Sequence, residues 1–149
     1  MQGGLFGDET VVENCIFCKI ISGKAPGHIL YRDDRVLSFL DIAPVMAGHT
    51  LVIPIKHHDN IFSLSEAETM AIALHSRLLA PIIKRVSKAD GLGVHQLNGR
   101  AAGQTVFHYH NHLIPCFHGK PMQIHGRHAA PQAALVDMAE QLRTALKAG

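Results

Sequence analysis

The segment QTVFHYHNHLIP, residues 104–115, places His108, His110 and His112 at alternate positions. Along an extended chain this spacing sends all three imidazoles to the same face, with neighbours roughly 6–7 Å apart. The pattern predicts a strand over 106–115 carrying a row of groups that titrate near neutral pH. Twelve histidines occur in the 149 residues, and six of them fall between His108 and His128, so chemistry is sought in this stretch.

Other segments supply partners for such a strand. Residues 28–32 and 36–40 read as a hairpin turning at Asp33-Asp34, with Asp41 at its end, and 49–54 as a third strand of β-branched and aliphatic bias. Residues 15–21 form a short apolar element, followed by a turn-like stretch over 22–27. Ser65-Glu66-Ala67-Glu68 fits a capping box, and Met70, Ala73, Leu74, Leu78 and Ile82 recur at helical spacing. A helix is expected from near Ser65 to about Val86, kinked or shortened by Pro81. Gly91 and Gly93 end that segment, 94–97 gives a fourth strand and 98–103 a loop. From Pro131 onward, Leu135, Met138, Leu142 and Leu146 share one stripe of a terminal amphipathic helix. The expected class is α+β, a mostly antiparallel five-stranded sheet with one main helix and a C-terminal helix. The expected organisation is a tail over 1–13, a domain over 14–130, and a helix over 131–149 packed on the domain or on a partner subunit.

Composition bounds the partners. Apolar residues make up 47% of the chain and the formal charge is +2 with the cations scattered, which suits one domain and gives no nucleic-acid footprint. The first residues lack a basic and apolar leader, and no apolar run reaches membrane-span length, so a cytoplasmic protein with no membrane partner is expected. Three cysteines, two of them in CIFC, suit reduced thiols or metal ligation better than disulfides, and Cys116 is left over.

Three readings of the imidazole row stand side by side. The rings are satisfied polar residues of a strand; or His-x-His holds a catalytic Zn²⁺; or one neutral imidazole attacks phosphorus or acyl carbon, its Nδ1–H held by an acceptor so that Nε2 faces the substrate. Gly103, Gln104 and Thr105, just ahead of the row, supply a flexible backbone, an amide and a hydroxyl. Neutral donors of that kind suit the non-bridging oxygens of a phosphate in its transition state. Asp41 is chemically apt for a vicinal diol, whose two hydroxyls a carboxylate accepts.

The run His108-Tyr109-His110-Asn111-His112-Leu113-Ile114 resembles the signature of the histidine triad (HIT) proteins. The blocks NCIFCKIISGKAP, VLSFLDIAP, GHTLVIPIKH and AGQTVFHYHNHLIP, in that order over about residues 14–115, are similar to the Hint-like bacterial branch. The resemblance implies a HIT-like fold, a homodimer with joined sheets, and a phosphoramidase-like hydrolase or transferase. Its substrate would be a purine nucleotide of AMP or GMP type, and its intermediate a nucleotidyl-histidine. By position it makes His110 the nucleophile, flanked by His108 and His112, with His112 assisting at the phosphate and His49 completing the catalytic set. It places Asn98, Gly103, Gln104 and Thr105 about the phosphate and Asp41 on the ribose, with Thr105 where many relatives have Ser. Ile16, Phe17, Ile20, Phe39, Ile42 and Leu51 match the apolar slot for the base. It further implies a structural Zn²⁺ on Cys15, Cys18, His57 and His108, with His58 the alternative to His57, and no organic cofactor. Dinucleoside polyphosphate hydrolysis, a zinc-dependent hydrolase using the row, and non-catalytic nucleotide binding are the rival functions.

Two features depart from the pattern. Cys116 stands where many relatives have Arg, and CFHGKPMQIHGRHAAP with the terminal helix lies outside the shared blocks. His118, Lys120, His125, Arg127 and His128 of this stretch are expected to be solvated, although they are within range of the leaving-group side.

Overall fold

A computed structural model describes Val12, residues 14–126 and residues 128–149. The expected tail, apart from Val12, and Arg127 therefore lie outside the described residues. The sheet starts where Asp33 Oδ1 accepts the backbone N–H groups of Arg35 and Val36, at 2.8 Å each. This side-chain-to-backbone turn folds β1 (Ile29–Arg32) back onto β2 (Val36–Leu40). Next come β3 (Thr50–Pro54), β4 (Gly91–His95) and β5 (Asn111–Cys116), and the spatial order is β1-β2-β3-β5-β4 with every pairing antiparallel.

Both faces of this sheet are covered, which is why all five residues of β2 and of β3 are buried rather than alternating. One face carries Val36, Leu40, Val52 and Leu113 against the helices α2 (Glu66–Ser87) and α3 (Gln132–Ala148). The other carries Leu37, Phe39, Leu51 and Ile53 against Phe17, Cys18 and Ile21 of α1 (Ile16–Ile21). α3 lies on α2 and β1, and Arg143 ties it down by donating to the Ile29 carbonyl at 2.8 Å.

The capping box forms as expected: Ser65 Oγ accepts from Glu68 N–H at 3.1 Å, and Glu68 Oε1 accepts from Ser65 N–H at 3.4 Å. Elsewhere the structure corrects the sequence reading. α2 runs through Pro81 to Ser87 and ends at Lys88, whose left-handed φ of 60° closes the last turn. Its core face is Ile72, His75, Ser76, Leu79, Ile82 and Ile83, whereas Met70 (65% exposed), Leu74 (71%) and Leu78 (49%) look outward. The inward polar pair is satisfied: His75 Nε2 meets Ser38 Oγ at 2.9 Å, and Ser76 Oγ accepts from Asn111 at 3.2 Å. The expected fourth strand over 94–97 lies instead at 91–95, with Gly91 and Gly93 inside it. β5 begins at Asn111, so His108 and His110 precede it and only His112 of the row is a strand residue. Among the described residues no helix is long and apolar enough to cross a membrane.

Candidate active site and metal centre

Cross-strand register lays out the floor of the site. Phe39 stands opposite Leu51, Leu51 opposite His112, and His112 opposite His95, so one line across four strands passes from apolar to imidazole. Above it opens a cavity of about 450 Å³, a size suited to a small ligand. Ile16, Phe17 and Ile20 of α1, with Phe39, Ile42 and Leu51, line it, and so do Asp41, Thr105, His110 and His112. These ten candidates are brought together around one cavity. The cavity wall also contains Val106, the 25–27 turn, and His125 with Gly126 from the C-terminal stretch. His125 is the one titratable lining residue that the sequence reading left in solvent; its spacing carried no signal.

Hydrogen-bond partners assign the protons of the histidines. His110 Nδ1 lies 2.6 Å from the His108 carbonyl oxygen, so Nδ1–H donates there and Nε2 keeps its lone pair. His49 Nδ1 accepts from Val45 N–H at 3.1 Å, which places the His49 proton on Nε2; that N–H donates to His112 Nδ1 at 2.9 Å. The His112 proton is then on Nε2, a buried atom with no partner. Burial holds all three rings below the ordinary histidine range, His49 at about 4 and His112 at about 3, with neighbouring imidazoles adding to the effect. In His110 burial works against the hydrogen bond to the His108 carbonyl. The site thus holds a neutral lone pair on His110 beside a neutral donor on His112, the two rings 4.8 Å apart.

Asp41 sits at the end of β2 with its side chain 22% exposed, Oδ1 accepting from Ala43 N–H at 2.9 Å. Burial raises its pKa. Asp41, His49 and His112 also place ligand atoms within 4.8 Å of one another. Binding a cation there would require His49 Nε2 to give up the proton it donates to His112; the two rings form a hydrogen-bonded pair, with Asp41 Oδ2 3.7 Å from His49 Nε2.

Gln104 and Asn98, expected about the phosphate, have their side-chain amides engaged by neighbouring loops. Gln104 Oε1 accepts from Gly99 N–H at 2.7 Å, and its Nε2 donates to the Asp59 and Val106 carbonyls at 2.6 and 3.0 Å. Asn98 Oδ1 accepts from Ile61 N–H and Gln96 Nε2, both at 2.8 Å, and its Nδ2 donates to Gln96 Oε1. Both amides are spent knitting loops together and neither lines the cavity. Gly103 is at φ 96°, a left-handed conformation natural to glycine, and its carbonyl faces His125 rather than a ligand.

His108 also leaves the row. Its Nε2–H donates to the Pro54 carbonyl at 2.8 Å, turning the Nδ1 lone pair onto Cys15 Sγ (3.3 Å) and Cys18 Sγ (3.6 Å). It therefore does not line the cavity. His57 Nε2–H donates to Asp59 Oδ1 at 2.8 Å, which directs Nδ1 to Cys18 Sγ at 3.4 Å. Two sulfurs and two Nδ1 atoms lie within 4.8 Å of one another. A tetrahedral Zn²⁺ with ordinary bond lengths spaces its sulfur and nitrogen ligands about 3.5 Å apart, which these contacts match. The carbonyl and carboxylate behind the two rings are the usual orienting partners of metal-bound histidine. Cys15 is drawn toward its thiolate, first by the Cys18 hydrogen bond and, against burial, by His108 and His57; Cys18 is pushed the opposite way. His58 is turned elsewhere, its Nε2 2.7 Å from Glu68 Oε1.

Comparison with known proteins places this geometry. A family model described as the HIT domain matches residues 22–119. Protein hit of Bacillus subtilis is 45% identical over 103 residues, covering 69% of this chain and 71% of that protein. A protein named adenylylsulfatase HINT3, of Arabidopsis thaliana, is 36% identical over 112 residues, 75% of this chain and 57% of its own length. Among solved structures, a Hit-like protein of Bartonella henselae superposes with TM-score 0.83 at 34% identity, covering 90% of this chain and 98% of that one. A Zn-bound histidine triad family protein of Mycobacterium smegmatis gives 0.80 at 32% identity, covering 91% and 94%. By sequence, topology and the arrangement of its histidines, the chain belongs to the HIT domain family.

Proposed function

We propose that this protein is a nucleotidyl hydrolase or transferase that cleaves purine nucleoside phosphoramidates or related adenylylated compounds through a nucleotidyl-His110 intermediate. The observation that carries this reading is the fixed tautomer of His110, whose Nδ1–H is held by a main-chain carbonyl in a cavity of nucleotide size. A ring so held presents Nε2 as a neutral nucleophile. The similarity to a plant relative named as an adenylylsulfatase supports chemistry at an adenylyl phosphorus.

The base enters the apolar end, between Ile16, Phe17 and Ile20 on one side and Phe39 and Leu51 on the other. The Asp41 carboxylate accepts from the ribose hydroxyls. His112 Nε2–H, the unpartnered donor, and the Thr105 hydroxyl stabilise the non-bridging phosphate oxygens as charge develops on them. His110 Nε2 attacks phosphorus, the leaving group departs, and water then cleaves the P–N bond to His110. Cys15, Cys18, His57 and His108 would hold a structural Zn²⁺, a closed site with no open position for substrate, whose chemistry is to cross-link α1 to the strand ends. Such a reduced thiolate pair suits the cytoplasm.

The assembly that fits is a homodimer. β4 is an edge strand, Val94 on it is 56% exposed, and the outward Met70, Leu74 and Leu78 of α2 form an uncovered apolar face. Leu74→Glu is expected to shift the sedimentation coefficient to that of a monomer.

The test of the activity is intact-mass spectrometry of protein quenched during turnover of an adenosine phosphoramidate. Wild type carries a transient nucleotidyl mass. His110→Ala and His110→Gly carry none and lose at least roughly 10³-fold in turnover. A His110 variant with normal rates sinks the reading.

A further inference from the structure

The C-terminal stretch beyond the matched domain returns to the cavity, and it does so at three fixed points. Ala130 N–H donates to the Ile42 carbonyl at 2.9 Å. Gly126 is packed on the loop after β2 so closely that a Cβ there would collide with the Ala43 carbonyl oxygen. His125 Nε2–H donates to the Gly103 carbonyl at 3.0 Å, in the loop that carries Thr105. The segment thereby bridges the loop after Asp41 and the loop before His110, and it carries a single imidazole over the phosphate end.

The His125 ring stands edge-to-face with His112, with 5.9 Å between ring centroids, and lines the same cavity as His110. With Nε2–H engaged, Nδ1 is the nitrogen left to meet a ligand. Titratable neighbours from the packed elements are Asp41 after β2, His49 before β3, His110 and His112. His95, the cross-strand partner of His112, does not compete for this place. Its ring folds back over Gly93, where a Cβ would lie 2.7 Å from its Nε2.

Resting on the activity proposed above, we infer that His125 is the catalytic acid for the leaving group. The substrates that need it are those whose departing atom is a basic amine nitrogen. Imidazolium His125, anchored through Nε2–H, donates its Nδ1 proton to the leaving nitrogen as His110 Nε2 bonds to phosphorus and the substrate P–N bond breaks. A neutral amine departs and His125 is left neutral. In the second step water attacks phosphorus, its proton passes to His125 Nδ1, and the bond to His110 breaks, restoring both rings. His112 keeps its separate role, since its single proton serves a phosphate oxygen. No other described lining residue offers a mobile proton on that side: Thr105 is a hydroxyl, and Asp41 stands at the ribose.

The test compares two substrates in wild type and His125→Gln: an adenosine 5′-phosphoramidate of an alkylamine, whose leaving group must be protonated, and an adenosine 5′-(4-nitrophenyl phosphate), whose leaving group need not be. General acid assistance contributes roughly 10²–10⁴-fold. His125→Gln is expected to lose about 10²-fold or more in kcat with the alkylamine and under about threefold with the nitrophenyl ester. Equal losses on both substrates would mean a structural role only, and unchanged rates on both would mean no role; either result overturns the inference while the His110 adduct still forms. Wild type that forms no adduct with either substrate overturns the proposed activity instead.

Discussion

Thr105 and Gln104 are neighbours with opposite duties. Thr105 is the one hydroxyl on the described cavity wall, and Gln104 is turned into the loop beside it. Thr105→Val is expected to lower kcat by roughly 10²-fold, the cost of one transition-state donor, with little change in unfolding midpoint. Gln104→Ala should do the reverse at the level of stability, costing about 1–3 kcal/mol in urea unfolding because it strands the Gly99 N–H. Nothing in the sequence separates the two: both are polar, adjacent and in the loop that precedes the nucleophile. An amide is consumed by its own loop only once Gly99 and Asp59 have been brought within reach. His110 was legible for a different reason, because a histidine between histidines at strand spacing narrows its roles before any fold is known. The proton assignment was not, since it depends on carbonyls of His108 and Pro54 that only folding positions.

Among the larger pieces, the hairpin, β3 and the capping box were readable because their signals are local. Of the apolar positions read at helical spacing in α2, Ile82 is on the core face and the others look outward. Met70, Leu74 and Leu78 make an apolar stripe as regular as the true core stripe, which contains His75 and Ser76, and periodicity alone does not say which of two stripes meets the sheet. β4 was displaced because Gly91 and Gly93 look like breakers, yet Gly93 is the residue over which the His95 ring folds. The buried polar stripe has a thermodynamic signature. Burial holds His75 at about 4, as it does His49 at about 4 and His112 at about 3. An unfolded chain titrates these rings near 6.5, so between about pH 6.5 and 4 it binds more protons than the folded one. Stability is therefore full above about pH 6.5 and declines as pH falls toward 4, which urea midpoints measured across that window will record. His75→Gln, remote from the cavity, should make the decline shallower. Gly126→Ala tests the C-terminal strap. The added Cβ cannot share space with the Ala43 carbonyl, so kcat/KM should drop by about tenfold or more while the circular dichroism spectrum stays that of wild type.

The sheet divides the protein by task, with the helices α2 and α3 on one face and the chemistry on the other. That division follows from β2 and β3, whose alternate residues serve two cores at once. On the chemical face the cysteine–histidine cluster and the cavity share Phe17, whose ring contacts both His108 (5.9 Å between centroids) and His110 (5.2 Å). If the cluster holds the proposed Zn²⁺, treatment with a chelator, or Cys15→Ser, is expected to lower kcat by about 10–100-fold, with metal content followed by elemental analysis. The fold should persist, because the α2–α3 core on the opposite face takes no part in the cluster.

His108 has a ring in one centre and a carbonyl in the other. A disturbance of the thiols, by an oxidant or a competing soft metal, would thus reach the His110 imidazole through a single peptide unit. Through Phe17 and the rest of α1 the same insult would also reach the apolar end of the cavity, so ligand binding and turnover would fall together.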